Sequence, residues 1–447
     1  MSCVIYHDME EYQLEERQEK LLAMLKKGIT PATGCTEPIA VAYGVASARE
    51  QVKGNLVSIQ VKVDSNIYKN GLMVTIPGTS EKGLIAAAAF GFIAGDAQKG
   101  LMVIEGISEE DIKKAKNLIK QDRIKLDLQR EVAGLDIEII LLTDREKARV
   151  KILDNHLNIV NIEKTDLNNS FMPFKRKTGK SNHTNHFIQE YSLEDFLRFS
   201  NEIPLDKLIF LEEGIKMNLR IAQEGLTIQY GVGLKLEELI KEGSMADSSI
   251  SRAQVLCAAA SEARMSGSRL PVMSTVGSGN HGITVFLTNY AVAEKKNLPK
   301  EKLIRALTFS NLITYFIKSY TGTLSAMCGC GVAAGIGASS GIVYLLGGKK
   351  KQILGALYNM VGSISGMICD GAKDGCAFKL ALAAGWTVQS ALLSMKDAII
   401  HNTDGIVDPD FKQLFKNLGH VCDPGMIATD QAILDVMLGL TVSSIGE

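Results

Sequence analysis

The stretch "TLSAMCGCGVAAGIGASSGIVYLLGG" (residues 323–348) contains no charged side chain, and its reading decides the C-terminal half of the chain. Its length suits a membrane span, for which about 20 apolar residues are enough. Its composition argues otherwise, because Gly and Ala dominate it. Small residues let helix backbones approach each other closely, so the stretch reads as a buried, tightly packed helix and no membrane partner is expected. Twenty-one residues further on, "CDGAKDGC" (369–376) adds Cys369 and Cys376 to the Cys328 and Cys330 of the first stretch. Two cysteines among small packing residues and two in a glycine-broken turn pose the choice between a structural core and a metal site.

The whole chain favours neither extreme composition. Its 447 residues are 46% hydrophobic and 22% charged, with a net charge of -1. That length allows two or three domains with substantial cores. The balance of charge lacks the basic footprint of a nucleic-acid binder. The opening "MSCVIYHDMEEYQ" lacks the basic start and apolar run of a signal peptide. Eight cysteines are too sparse for a disulfide scaffold, which fits a reducing cytoplasm, where clustered thiols more often serve metal binding or catalysis.

Outward from the quoted stretch, residues 192–440 read as almost wholly helical. Residues 55–173 have a different texture. "LVSIQVKVDSNI" (56–67), "GLMVTIPGT" (71–79), "DIEIILLTD" (136–144), "RVKILDN" (149–155) and "LNIVNIEK" (157–164) alternate as half-buried strands do. Helices interrupt them at 82–95 and at 108–121, the second opened by Ser108 with Glu109 and Glu110 behind it. The expected fold is therefore α+β: a sheet domain over 55–173 and a larger all-helical domain over 191–447. A helical segment, 1–54, precedes them, and a polar, basic linker or loop, 174–190, including "FKRKTGKSNHTNH", joins them.

Three places hold candidate chemistry. In "GITPATGCTEP" (28–38), Pro38 suits the first turn of a helix, so Cys35 falls at a helix N-terminus, where the dipole lowers a thiol pKa. Such a thiolate is a nucleophile or general base; the plain alternative is a small buried cysteine in a turn. The later cysteines, as C-x-C and C-x6-C, do not match zinc-ribbon spacing. Three of the four would suit an iron–sulfur cluster, and three ligands would leave one iron open as a Lewis acid. Inert core cysteines are the competing reading. In "STVGSGNHGIT" (274–284), glycines flank Ser278, Asn280 and His281 ahead of an apolar helix, which makes a seat for a carboxylate or phosphate. His281 could serve as an acid, an iron neighbour or a cap, and a lone histidine is usually structural. Lys373 offers a carboxylate partner unless Asp370 neutralises it.

"TGCTEP", "GSGNHGI", "CGCGVAAG" and "ICDGAKDGCAFK" together resemble the L-cysteine desulfidase family, related to the iron–sulfur-dependent L-serine dehydratases. The resemblance covers essentially the whole chain, with four motifs in the same order. It implies a [4Fe–4S] cluster held by three cysteines: Cys369, Cys376 and one of the "CGC" pair, with Cys328 favoured over Cys330. It makes Cys35 the catalytic base, and Thr36, Ser278, Gly279, Asn280, His281 and Lys373 the substrate-binding set. Cys3, Cys257 and Cys422 match no motif. The implied reaction is β-elimination of L-cysteine to sulfide, ammonia and pyruvate, a carbon–sulfur lyase, with the substrate sulfur on the open iron. L-serine dehydration, a carbon–oxygen lyase reaction, is the alternative within the same machinery. A pyridoxal enzyme would need a Schiff-base lysine and a phosphate loop, and none stands out. A non-catalytic small-ligand-binding protein would carry the cysteines as core filler. The apolar helices suit self-association as a homodimer.

Overall fold

The computed structural model describes residues 2–132, 134–174, 186–322 and 324–439. Of the linker expected at 174–190, residues 175–185 lie outside them, and His186–Glu190 form a short 3-10 helix. The elements in chain order are α1 (Ser2–Gly28), β1 (Pro31–Ala32), α2 (Thr36–Arg49), β2 (Leu56–Asp64), α3 (Ser65–Gly71), α4 (Gly83–Ala94) and α5 (Glu109–Lys120). Strands β3 (Ile124–Gln129), β4 (Asp136–Thr143), β5 (Glu146–Leu153) and β6 (Ile159–Asp166) follow. The remainder is helical: α6 (Leu193–Glu202), α7 (Phe210–Gly225), α8 (Val232–Lys241) and α9 (Ser249–Met265), then the short β7 (Val272–Met273). After it come α10 (Gly279–Lys295), α11 (Lys300–Thr321), α12 (Ala333–Leu345), α13 (Lys350–Ile364), α14 (Cys376–Ser394), α15 (Phe411–Cys422) and α16 (Ile427–Met437). The fold is α+β with a larger helical part.

The sheet runs β3-β2-β4-β5-β6, with β2 and β3 parallel and the other neighbours antiparallel. Alternation sends Ile59, Val61 and Val63 of β2, Ile137, Ile139 and Leu141 of β4, and Val150 and Ile152 of β5 into one core. Helices α2 and α4 cover that face. The other face carries charges paired across the strands: Lys62 pairs with Glu138, directly opposite, at 3.0 Å, and Lys151, also opposite Glu138, reaches diagonally to Asp136 at 2.5 Å. The segment before residue 55 is shared between two cores. Leu21, Leu25 and Ile29, at the end of α1 and just beyond it, join the helical one, whereas α2 lies across the sheet.

Two local readings change. The strand expected at 71–79 does not form; only Thr75 makes a bridge, to Lys82, because Pro77 and the left-handed Gly78 (φ +74) turn the chain. Its place beside β2 belongs to "IKLDLQ" (124–129), whose own alternation carries a strand. The strand expected to run to residue 67 stops at Asp64, whose carboxylate accepts from Asn66 N at 2.8 Å and Ile67 N at 3.2 Å. An aspartate in that position starts a helix. Ser108 caps α5 as anticipated, in a reciprocal arrangement with Asp111.

The quoted stretch 323–348 becomes a connecting segment and α12, a 13-residue helix that is buried almost throughout. Its glycines explain its composition. A Cβ at Gly337 would lie 2.1 Å from Thr314 Oγ1 and 2.7 Å from the Ser310 carbonyl, and one at Gly341 would lie 1.7 Å from Ser310 Oγ. Helices α11 and α12 therefore pack backbone against backbone. The helix long and apolar enough to cross a membrane is a different one, α14, and 56% of its apolar window is buried in the fold.

Gly337→Ala is expected to cost about 1–3 kcal/mol by overpacking and to lower the urea midpoint. Gly366→Ala, where a Cβ meets nothing within 4 Å, should stay within about 0.5 kcal/mol of the parent. Equal midpoints for the two variants would contradict the close helix contact.

Candidate active site

A two-residue β pair starts the site. Pro31 and Ala32 of β1 lie antiparallel to Met273 and Val272 of β7. The Thr30 carbonyl accepts from Ser274 N at 2.9 Å and from Ser274 Oγ at 2.7 Å. These contacts hold "TGCTEP" against the segment that leads into "GSGNHGI". Gly34 (φ +70) packs so closely on Pro77 that a Cβ would lie 2.4 Å from its ring. Cys35 then takes the N-cap position of α2, as its sequence setting predicts.

The expected low thiol pKa does not follow. Cys35 is buried, and its thiol donates to Glu37 Oε2 at 2.7 Å instead of capping the helix. Burial, then the Glu37 carboxylate, push the thiol well above its ordinary range, with Arg264 pulling the other way. Desolvation and an adjacent anion outweigh the helix dipole. Glu37 itself is held below the usual carboxyl value: burial pushes it up, but His156, the Cys35 thiol and the Asn70 amide prevail. Burial lowers the His156 pKa, so at neutral pH the hydrogen bonds do most of this work. Thr36 Oγ1 donates to the same Oε2 at 3.2 Å, and Asn70 Nδ2 donates to Oε1 at 3.0 Å.

The four later cysteines converge on this pair. Residues 327 and 368 form a bridge, with Cys328 N donating to Met367 O at 2.8 Å and Cys369 N to Ala326 O at 2.6 Å. Cys376 is the first residue of α14 and packs with Cys35, Val74 and Met265 in one small apolar cluster. The Cys369 thiol donates to Asn70 Oδ1 at 3.7 Å, so a single amide joins Cys369 to Glu37. Cys328 and Cys330 share a hydrogen bond that holds Cys328 low and Cys330 high. Burial raises Cys369 to about 12 and also raises Cys376.

The glycine-rich turn closes the site from the helical side. Thr275 and Ser278 exchange backbone hydrogen bonds across Val276 and Gly277, both at positive φ. Ser278 Oγ lies 4.0 Å from Cys330 Sγ. Asn280 Oδ1 accepts from Arg264 Nη1 at 2.9 Å. His281 Nδ1 pairs with the Thr275 carbonyl at 3.2 Å, which puts the proton on Nδ1 and leaves Nε2 as an acceptor. That Nε2 faces Gly329, where a Cβ would sit 2.5 Å away, so only glycine fits between Cys328 and Cys330. Burial, with Lys318 and Arg264 adding to it, drops His281 to about 3. Of the three readings of His281, its burial supports a neutral neighbour of the thiols over a proton-donating acid. Gly279 opens α10 between Ser278 and Asn280. Lys373 is engaged by Asp370, through an ion pair and a 3.1 Å bond to its carbonyl, and Lys379 shares the same carboxylate.

Several participants were not singled out from the sequence: Glu37, Asn70, Arg264, Lys318 and His156. Glu37 lay inside a quoted motif. Arg264 carried a signal too, as a cation inside the alanine-rich α9, in which every residue from Val255 to Met265 is buried. Cys257 donates weakly to the Ile283 carbonyl and is structural. Cys422 lies 3.6 Å from the Met327 sulfur, one residue from Cys328.

Among the described residues, no three His, Cys, Asp or Glu side chains are gathered to hold a single metal ion. A cluster distributes its thiolates over separate irons, so that spacing does not count against one. Four thiols on two loops and a helix start, close enough to act on one another electrostatically, have the soft donor chemistry an iron–sulfur cluster takes; Cys328, Cys369 and Cys376 would hold it.

Residues 98–435 match the family model described as serine dehydratase alpha chain. The chain thus belongs to the serine dehydratase alpha-chain family, which points to a lyase. The match spans all four clustered cysteines and the turn at 274–284 but begins after Cys35. Whole-length relatives cover that region as well. A UPF0597 protein of Clostridium tetani is 44% identical over 422 residues, 94% of this chain and 99% of the relative. Another, from Caldanaerobacter subterraneus subsp. tengcongensis, is 42% identical over 94% and 98% of the two chains. A third, from Clostridium botulinum strain Okra, is 40% identical over 94% and 97%.

The electrostatics can be checked by alkylating Cys35 across pH and quantifying its peptide by mass spectrometry. The labelling midpoint should lie well above that of an ordinary thiol. In Glu37→Gln, which removes the adjacent negative charge, it should move to lower pH. An unchanged midpoint would contradict this account of the pair.

Proposed function

We propose that the protein is an L-cysteine desulfidase, converting L-cysteine and water to pyruvate, ammonia and sulfide by β-elimination. The observation that carries this reading is the Cys35–Glu37 pair, which places a proton donor–acceptor couple against the same buried thiols that suit a cluster. The amino acid would lie between the 278–281 turn and Cys35. The Cys35 proton passes to Glu37 Oε2 along the existing 2.7 Å hydrogen bond, the resulting thiolate takes the α-proton, and the proton on Glu37 leaves with the departing sulfide, which restores the thiol–carboxylate pair. Electrons of the broken Cα–H bond form the Cα–Cβ double bond, and the Cβ–S bond breaks. When bound, a [4Fe–4S] cluster supplies a Lewis acid that stabilises the departing sulfide. Aminoacrylate tautomerises to the imine, and water releases ammonia and pyruvate. Asn70 keeps Glu37 oriented, and the buried, glycine-packed walls exclude water from the intermediate.

A thiol held high is a strong base once deprotonated; transfer of its proton to Glu37 runs uphill in the resting pair and is confined to one short hydrogen bond. General acid–base catalysis of this sort contributes about 10²–10⁴-fold. The second reading, dehydration of L-serine, rests on the description of the matching family. It uses the same residues and differs in the leaving group.

The test is anaerobic purification followed by parallel assays of sulfide, ammonia and pyruvate from L-cysteine and L-serine. L-Cysteine should give the three products in equal amounts. Cys35→Ser should abolish turnover yet keep its iron, Cys369→Ala should lose iron, and Glu37→Gln should lose about 10²–10⁴-fold in kcat. Pyruvate from L-serine alone would move the assignment to the dehydratase. An iron-free protein under strict anaerobic conditions would refute the cluster.

A further inference from the structure

Arg264 is 3% exposed and forms no ion pair among the described residues. Burying a cation without a direct ion pair is costly; the ionisable group the chain sets beside it is the Cys35 thiol, which Arg264 pulls toward its anion, and that leaves the guanidinium able to take a second anion from a ligand. The guanidinium is fixed at two corners: Nη1 donates to Asn280 Oδ1 at 2.9 Å, and Nη2 donates to the Gly34 carbonyl. Both partners are neutral. The third donor, Nε, has no hydrogen-bond partner. It points toward the first residue of α10, where a Cβ on Gly279 would stand only 2.5 Å from it. Only a glycine at this position lets the amino end of α10 pack directly on the unpaired Nε.

The N-terminus of α10 lies beside this unpaired donor. The Ser278 side chain makes no capping hydrogen bond, so it leaves the first N–H groups of a 17-residue helix to another acceptor. Glu37, the carboxylate of the site, is already taken by Cys35, Thr36 and Asn70. A buried guanidinium donor and uncapped helix N–H groups together match a planar carboxylate.

We propose that Arg264 is the charge receptor for the α-carboxylate of the amino-acid substrate, held beside the amino end of α10. This rests on the β-elimination reading and adds to it the residue that selects α-amino acids over amines. Its two fixed bonds span Asn280 and Gly34, so carboxylate binding is tied to the loop that carries Cys35. Arg264 is a binding and positioning residue; it transfers no proton.

The experiment uses iron-loaded full-length protein under anaerobic conditions and two probes that cannot undergo elimination, L-alanine and its decarboxylated counterpart ethylamine. Calorimetry should detect L-alanine and not ethylamine. Arg264→Gln should weaken L-alanine about 100-fold, the loss of a charge-assisted contact of about 2–3 kcal/mol, and Arg264→Lys should recover part of it. An unchanged Kd in a folded Arg264→Gln protein would overturn the proposal. If that variant fails to fold, the unmutated protein decides: equal binding of the two probes, or binding of neither, overturns it. Selective L-alanine binding lost in Arg264→Gln, together with no sulfide from L-cysteine in the unmutated protein, would retire the desulfidase reading and leave the carboxylate receptor standing.

Discussion

The site depends on the antiparallel pairing of Pro31–Ala32 with Val272–Met273. Two-residue strands hold little by themselves. This pair is reinforced by the double use of the Thr30 carbonyl and by Arg264, which donates to Gly34 from the far side. The result fixes the loop ahead of Cys35 against the turn ahead of α10, although some 240 residues of chain separate them. Without it, the sheet-packed α2 and the helical core would carry their reactive groups on separate surfaces.

Buried polarity then defines what the space can do. Cys35, Glu37, Asn70, Arg264 and His281 are each less than a tenth exposed. A fold tolerates that number of buried polar groups only where they satisfy one another or await a ligand. Cys35, Glu37 and Asn70 form a continuous chain of donors and acceptors ending at Cys369. Arg264 has a donor to spare. One side of the space is therefore complete as a proton couple, and the other is incomplete as an anion seat. Glycines set how closely these sides approach: Gly329 admits His281, Gly279 admits Arg264, and Gly337 and Gly341 let α11 and α12 close behind.

What the sequence disclosed was mostly local. The α+β division, the Ser108 cap and the placement of Cys35 at a helix start follow from alternation and capping rules that act over a few residues. The segment at 71–79 misleads because its apolar alternation runs into a Pro-Gly turn, and β3 gives a weak signal because it is short and half polar. The state of the Cys35 thiol was not legible, since it depends on the depth of burial and on the rotamer of Glu37, both set by packing. Asn70 and His156 belong to the site through contacts more than thirty residues away in sequence, with no motif to mark them. Arg264 was visible as an anomaly, a charge in an alanine-rich helix, but its meaning needed Gly34 and Asn280 beside it.

The central proposal is that Cys328, Cys369 and Cys376 would hold an iron–sulfur cluster beside the Cys35–Glu37 pair, able to take L-cysteine directly. Mössbauer spectra of the anaerobic, iron-57-loaded protein, recorded with and without L-cysteine, test it most directly. The account predicts a four-iron cluster in which one iron is distinct and changes its signal when L-cysteine is added. Four equivalent irons indifferent to L-cysteine, or no cluster at all, would contradict it.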